Sequence, residues 1–251
     1  MEIKGRAAVV TGGSRGIGRG ISLALAEAGA DVAVNYRKDE KAAAEVIASV
    51  KEMGRKALAL QGDVSNFDSA KDLMKQAYQA FGRIDILVNS AGIASRGNFV
   101  EKTEIEEWAR VLSTNLFSVF YCSKAVLEYM HLRKKGSIVS ISSIAASLLQ
   151  PGHSPYAVAK AGVDAFTKVL AKEEGRNGIR VNAIAPGIVK TDMGDRLMKA
   201  MGDERLKTRL ETTPLGRIAY PEEIGNLTVF LVSDKAAYIT GKVVQMDGGI
   251  L

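Results

Sequence analysis

Tyr156 and Lys160 stand four residues apart, and Ser143 closes a strand-like run thirteen residues before the tyrosine. On a helix, positions i and i+4 lie one above the other on the same face. An ammonium placed there lowers the proton affinity of the phenol, since an opposite charge within reach favours the ionised form. A phenol tuned that way can exchange a proton with a carbonyl or alcohol oxygen near neutral pH. Taken alone, such a spacing is usually just a solvated helix face.

The other end of the chain adds weight. Thr11-Gly12-Gly13-Ser14-Arg15-Gly16-Ile17-Gly18 follows an apolar strand and opens a helix. A helix start offers free N–H groups and the positive end of the dipole, which together bind pyrophosphate. Glycine lets the backbone approach the anion and turn at positive φ. The plainer reading is a glycine-rich turn between strand and helix. A nucleotide loop of the Gly-Lys-Ser/Thr type is excluded: Gly241-Lys242 is followed by Val243, and Ala236 stands where its first glycine belongs. The second strand ends Val34-Asn35-Tyr36-Arg37. An acid there would hold the ribose hydroxyls of NAD, whereas an arginine suits the 2′-phosphate of NADP. With no acid at 34–36, and with Arg37 and Arg15 as two guanidinium groups, the expected cofactor is NADP (NADPH). Otherwise both are surface arginines.

The elements that must position these groups alternate along the whole chain. Strand patterns fall at 6–11, 31–36, 57–61, 84–89, 137–142, 179–184 and 242–246. Helical patterns fall at 17–28, 40–53, 68–81, 105–131, 156–174, 192–211 and 222–232. Continuous apolar strands such as Ala7-Ala8-Val9-Val10 signal burial on both faces, the mark of a parallel sheet covered by helices. The expectation is an α/β fold: one doubly wound, Rossmann-like parallel sheet of about seven strands, a single domain over 1–251. In the helix at 156–174 the charges form a narrow stripe at Lys160, Asp164, Lys168 and Lys172, and apolar residues cover most of the rest. Such a helix should be buried on two sides, against its own sheet and against another subunit.

Bulk composition narrows the function classes. With 251 residues, 47% hydrophobic and 25% charged, the chain is an ordinary globular one. The longest uncharged stretch, 136–159, carries six serines, Gly152, Pro151 and Pro155, so no membrane span is expected there. No targeting segment is visible at the start, and Cys122 is the single cysteine, which points to a reducing cytoplasm. Cys122 sits in an apolar helical run and reads as a small buried hydrophobe rather than a nucleophile. The net charge of +6 suits acidic or phosphorylated partners. Its basic residues are scattered without aromatic interleaving, so no nucleic-acid partner is expected, and no metal ligand set is assigned.

Together these residues resemble the short-chain dehydrogenase/reductase family. The resemblance covers nearly the whole chain. It rests on the glycine run at 11–18, Gly62-Asp63-Val64, Asn89-Ser90-Ala91-Gly92, Asn115, Ser143, Tyr156 with Lys160, Pro186-Gly187, Thr191 and the closing Asp247-Gly248-Gly249. Ser90 departs from the usual second asparagine. The resemblance implies adenine contacts from Asp63 and Val64, a sheet-stabilising Asn89, and cofactor contacts along Ala91 and Gly92. Pro186, Gly187 and Thr191 would frame the nicotinamide. It extends the cofactor set to Gly12, Ser14, Arg15, Gly16, Ile17, Gly18, Tyr36, Arg37 and Val189. Ser143 would hold the substrate oxygen, with Ser142 the neighbouring alternative, and Tyr156 would be the acid/base. Lys160 would lower the phenol's pKa and bind the ribose, and Asn115 would hold a water linking Lys160 to solvent. A homotetramer is implied too.

Substrate identity is thinner. The segment 190–211 reads as a mobile lid made apolar by Met193, Leu197, Met198 and Met201, with Leu148 and Leu149 on the facing wall; the alternative is that these side chains face the core. In overall look, Ala237-Tyr238-Ile239-Thr240-Gly241 included, the chain resembles the 3-oxoacyl-(acyl-carrier-protein) reductases of the family. Val34-Asn35-Tyr36-Arg37 also resembles its glucose dehydrogenases, so a small-ketone or sugar substrate stays open. Two other classes fit the residues less well. A Ser143–His153 hydrolase lacks the Gly-x-Ser-x-Gly elbow. A non-catalytic NADP-binding sensor would show a broken site, whereas all four catalytic positions are filled. For a substrate linked to an acidic carrier protein, Arg133, Lys134 and Lys135 are expected to meet Lys172 and Arg176 in one basic patch beside the active-site mouth. The plainer reading is lysines and arginines closing helix C-termini.

Overall fold

The computed structural model describes residues 3–251. Seven strands, β1 (Ala7–Thr11), β2 (Asp31–Tyr36), β3 (Ala57–Gln61), β4 (Ile86–Asn89), β5 (Gly136–Ile141), β6 (Ile179–Pro186) and β7 (Val243–Met246), form one sheet in the order β3-β2-β1-β4-β5-β6-β7. Every pairing is parallel. β1, β4 and β5 are buried throughout or nearly so, because helices cover both faces. One core lies between the sheet and α1 (Gly16–Glu27), α2 (Glu40–Glu52) and a late helix, Pro221–Val232. The other lies under α3 (Phe67–Phe81), a helix Ser118–His131 and a helix Ser154–Glu174.

Strand order reverses between β2-β1 and β4-β5, and in such sheets ligands bind at the carboxyl edge of that switch point. The register there pairs Thr11 with Asn89. Two helical expectations need correcting. The expected helix at 105–131 is three pieces: α4 (Ile105–Leu112), a π-helical turn over Ser113–Phe117, and α5 (Ser118–His131). The expected helix at 192–211 divides, after α6 (Ala145–Leu148) and α7 (Ser154–Glu174), into α8 (Asp192–Met201) and α9 (Asp203–Glu211). Gly202, at φ +76, breaks it, a conformation that glycine adopts without a Cβ penalty. α10 (Pro221–Val232) completes the helices.

Candidate active site

The glycine turn is built for close approach. The Thr11 hydroxyl accepts hydrogen bonds from Ser90 N at 3.0 Å and Ala91 N at 3.2 Å, which draws the segment after β4 against the turn after β1. A Cβ at Gly12 would lie 2.9 Å from Ala91 Cα, and Gly12 sits at φ +60, so both space and backbone require glycine. A Cβ at Gly18 would strike the Gly12 carbonyl oxygen. Ser14 is buried under the turn and Ile17 half-buried. Helix α1 begins at Gly16 with no side-chain cap, so its first N–H groups stay open for an anion.

Asn35, to which the sequence reading gave no role of its own, ties three strand ends together. Its Oδ1 accepts from Gly12 N at 3.2 Å, and its Nδ2 donates to Leu60 O at 3.2 Å and Gly62 O at 3.0 Å. An amide ending an apolar strand is the signal that could have found it. Beside it Tyr36 is buried and Arg37 exposed. Arg37 Nη1 reaches Asp63 Oδ2 at 3.3 Å, and Arg15 Nη1 reaches Asp39 Oδ2 at 3.7 Å, so each guanidinium leans on a carboxylate at the rim. Burial pushes the Asp63 carboxyl up, but hydrogen bonds from Ser65 and the Arg37 charge hold it below its ordinary value. Val64 follows, buried.

The catalytic candidates converge beyond β5, where Ser142 and Ser143 part. The Ser142 hydroxyl turns back to the Lys160 carbonyl at 3.3 Å, while the Ser143 hydroxyl stands against the Tyr156 phenol. Of the two serines, Ser143 therefore faces the site. α7 starts with Pro155 in its first turn, and this sets Tyr156 and Lys160 one turn apart on one face. Lys160 is buried, its Nζ 5.6 Å from the Tyr156 ring centroid, and it donates to Ile141 O at 2.7 Å. Here the expectation of a lowered phenol pKa is corrected. Burial pushes Tyr156 up, the Ser143 hydrogen bond pulls it partway back, and the ammonium is turned to the main chain. Burial also brings Lys160 down to about 8, against the attraction of Asp164.

Asn115 lies on the π turn, fully buried. Its Nδ2 donates to Val111 O at 2.9 Å and Ile93 O at 3.0 Å, and its Oδ1 accepts from Ile93 N at 3.2 Å. Helical irregularities of this kind recur at functional sites. A Cβ at Gly92 would lie 2.8 Å from Asn115 Oδ1 and 3.8 Å from Lys160 Nζ, so the glycine lets the β4 segment pass between them. Asn89 is buried in the sheet and donates to Ser123 and Ser140 at 3.2 and 3.3 Å. Pro186 ends β6, and Gly187 just beyond it donates its N–H to Met246 O at 3.0 Å. Val189 is buried, and the Thr191 hydroxyl caps α8 by accepting from Gly194 N at 3.1 Å. Thr191 Cγ2 would lie 3.2 Å from a Cβ at Gly16, which brings the start of α8 onto the start of α1.

Comparison with known proteins agrees with this geometry. A family model described as enoyl-(acyl carrier protein) reductase matches residues 12–251. A 3-oxoacyl-(acyl-carrier-protein) reductase of Synechocystis sp. is 42% identical over 245 residues, 97% of this chain and 96% of that protein. One from Vibrio cholerae is 40% identical over 250 residues, covering 100% and 99%. The chain belongs to the short-chain dehydrogenase/reductase family. Solved members of the same shape include a Sinorhizobium meliloti protein described as a short-chain alcohol dehydrogenase, at TM-score 0.94 and 39% identity over 99% of this chain and 97% of that one. Levodione reductase matches at TM-score 0.94 and 33% identity over 98% and 97%.

In this short-chain dehydrogenase/reductase the cleft walls can be placed. The loop at 93–98 is clamped by Asn115 at Ile93 and by the buried Glu107, whose Oε1 accepts from Arg96 N at 2.5 Å. Glu107 was another residue the sequence did not single out. A Cβ at Gly152 would lie 2.9 Å from Gly97 O, so this loop rests on the turn that leads into α7. Leu149 is 64% exposed at φ +48, and Leu148 is half-buried. On α8, Leu197 is exposed, while Met193, Met198 and Met201 are half-buried. Among the described residues no hydrogen bond joins His153 to Ser143, so the hydrolase reading has no base at its nucleophile.

The basic patch needs correction. Gly136 N donates to Gly178 O at 3.3 Å, and a Cβ at Gly178 would strike Lys134 O, so the two basic segments do meet. They meet where β5 and β6 begin, whereas Ser143 follows the end of β5. Lys172 is sixteen residues past Tyr156 on α7, about 24 Å along the helix at 1.5 Å per residue. The patch is therefore at the far edge of the sheet from its own protomer's mouth.

Proposed function

We propose that this family member is an NADPH-dependent reductase of 3-oxoacyl thioesters, and that its substrate rides on acyl carrier protein. The observation that carries the reading is the pair of hydroxyls, Ser143 and Tyr156, set against one another at the carboxyl edge of the switch point beside the glycine turn. Two donors aimed at one place suit a single carbonyl oxygen. The open α1 N-terminus and Gly12 would hold the diphosphate, and Arg37 with Arg15 the 2′-phosphate. When bound, the reduced nicotinamide supplies hydride to the carbonyl carbon. Ser143 orients the carbonyl oxygen, and Tyr156 gives it the phenolic proton as the alcohol forms. The Lys160 ammonium, bonded to the Ile141 carbonyl and 5.6 Å from the Tyr156 ring centroid, would act on the phenolate left behind only as a nearby charge. The apolar side chains of α8, Leu197 exposed and three methionines half-buried, suit an acyl chain better than a bare sugar.

Exposed apolar residues on α5 and α7, among them Phe120 and Val169, support a homo-oligomer, with a tetramer as the form implied by the family. Among the described residues no helix is long and apolar enough to cross a membrane. We place the enzyme in the cytoplasm.

A second reading is the carbon–carbon double-bond reduction named by the family model. A purified-enzyme assay separates the readings by following loss of reduced-nicotinamide absorbance with a 3-oxoacyl thioester, its 2-enoyl counterpart, simple ketones and sugars. The expected outcome is turnover of the 3-oxoacyl thioester, faster on the carrier protein than on a small thiol. Turnover of the enoyl thioester alone, or of sugars alone, overturns the proposal.

A further inference from the structure

The groups assigned to the cofactor stand on three separate stretches of chain: the glycine turn after β1, Arg37 after β2 and Asp63 after β3. One buried side chain, Asn35, reaches all three strand ends, and its amide is engaged in both directions. Its Oδ1 accepts from Gly12 N at 3.2 Å, and its main-chain oxygen accepts from Gly13 N at 3.0 Å. Its Nδ2 donates to Gly62 O at 3.0 Å and Leu60 O at 3.2 Å, with Tyr36 O at 3.4 Å. Gly62 leads directly into Asp63, whose carboxylate pairs with Arg37 at 3.3 Å. An apolar side chain at 35 would leave the Gly12 N–H and these carbonyls without that partner. Because Asn35 already takes the N–H groups of Gly12 and Gly13, the diphosphate falls to the N–H groups that follow, at the start of α1. Gly12 then contributes the space it leaves beside Ala91 rather than a donor.

We propose that Asn35 is a positioning residue for the cofactor: by joining the glycine turn to the ends of β2 and β3, its amide fixes the diphosphate site relative to the 2′-phosphate and adenine sites before NADPH arrives. The inference rests on the cofactor reading under the proposed function. A dinucleotide occupies all of these sites at once, so any looseness between them must be ordered on binding, at a cost in affinity. A register already held in the free enzyme removes that cost. Among the described residues the hydrogen bonds of the Asn35 side chain reach none of Ser143, Tyr156 and Lys160, so the effect belongs to cofactor binding and not to proton transfer.

The test compares wild type with Asn35→Ala in NADPH binding, read by fluorescence titration, and in kcat for carbonyl reduction at saturating NADPH. The Kd for NADPH should rise about tenfold or more, because several hydrogen bonds that hold the cradle are lost together. The kcat should stay within about twofold, the split expected of a group that acts on binding alone. The preference for NADPH over NADH should fall as well, since Arg37 loses its register with the turn. A merely structural role would lower the melting temperature and leave Kd and preference in place. An unmoved Kd in folded Asn35→Ala overturns the proposal. Should that variant fail to fold, hydrogen exchange of the wild-type Gly12 amide decides. It should be as protected in the cofactor-free enzyme as in the NADPH complex; free exchange until NADPH is added overturns the proposal, because the cofactor and not Asn35 would then order the turn. Arg37→Ala run in parallel keeps the two readings apart. If it weakens NADPH but not NADH while Asn35→Ala leaves the Kd unmoved, only the role of Asn35 fails. If wild type binds NADPH no better than NADH and Arg37→Ala changes neither, the cofactor reading itself has failed.

Discussion

The Lys160 ammonium is bound by the Ile141 carbonyl at 2.7 Å, a buried cation resting on the end of the strand that precedes the catalytic serine. Burial lowers its pKa from 10.5 to about 8, so between those values the unfolded chain binds a proton that the folded one does not. Stability should therefore rise with pH across that window, and below about pH 8 the buried charge is a full liability. The gap corresponds to about 3 kcal/mol, offset by about 1 kcal/mol from the hydrogen bond. Lys160→Met should abolish turnover yet raise the melting temperature by a few degrees near neutral pH, with the gain shrinking above pH 8. Calorimetry across that range checks it, and a variant less stable than wild type at neutral pH contradicts it.

Tyr156→Phe should remove the proton donor and leave the cradle intact. Turnover should fall by about 10²–10⁴-fold or more, while NADPH binding by fluorescence titration stays within a few-fold. Ser143→Ala should fall less, because the phenol remains. Full activity in the phenylalanine variant would refute the acid/base assignment.

Arg37 already pairs with Asp63 at 3.3 Å, so it stands at the rim in a geometry that a 2′-phosphate could share. Wild type should prefer NADPH over NADH in kcat/KM, and Arg37→Asp should weaken or reverse that preference. Loss of one charge-assisted contact and gain of a repulsive one should be worth about 2–4 kcal/mol. A wild-type preference for NADH would overturn the assignment.

Phe117 at the end of the π turn and Phe120 on α5 are 43% and 44% exposed, and Val158 and Val169 on α7 are 46% and 52% exposed. If a second subunit covers α7, this apolar surface is the part it would bury. Light scattering at micromolar concentration should give a multimer, and Phe120→Lys should shift it toward smaller species. A monomer mass for wild type would contradict the oligomer.

Much of this was legible in order along the chain, because it depends on neighbours in sequence. The alternation of apolar strands with helices predicted seven strands, and all seven form one parallel sheet, with ends moved by two residues or fewer. The glycine turn at 12–18 was equally plain, since positive φ and close approach are properties of glycine itself. The break at Gly202 could have been read from the same chemistry. The π turn could not, because its irregularity is held by Asn115 bonding to Ile93, twenty-two residues away.

By itself the sequence determined the residue types and their spacing along each element: a phenol and an amine one turn apart, a serine at a strand end, an arginine after β2. Tertiary structure decided which way each side chain turns and what surrounds it. The spacing to Tyr156 favoured Ser143 over Ser142, and the fold supplies the reason: just past β5 the Ser142 hydroxyl turns to the Lys160 carbonyl while the Ser143 hydroxyl stands against the Tyr156 phenol. The basic segments at 133–135 and 172–176 do meet, but parallel strands put them at the opposite edge from the catalytic groups. Lys160 was read as a charge beside a phenol, whereas its partner in the fold is a main-chain oxygen supplied by another element. Local spacing sets what can meet along one helix; burial and partners across the sheet depend on how distant segments pack, and no single window of sequence carries that.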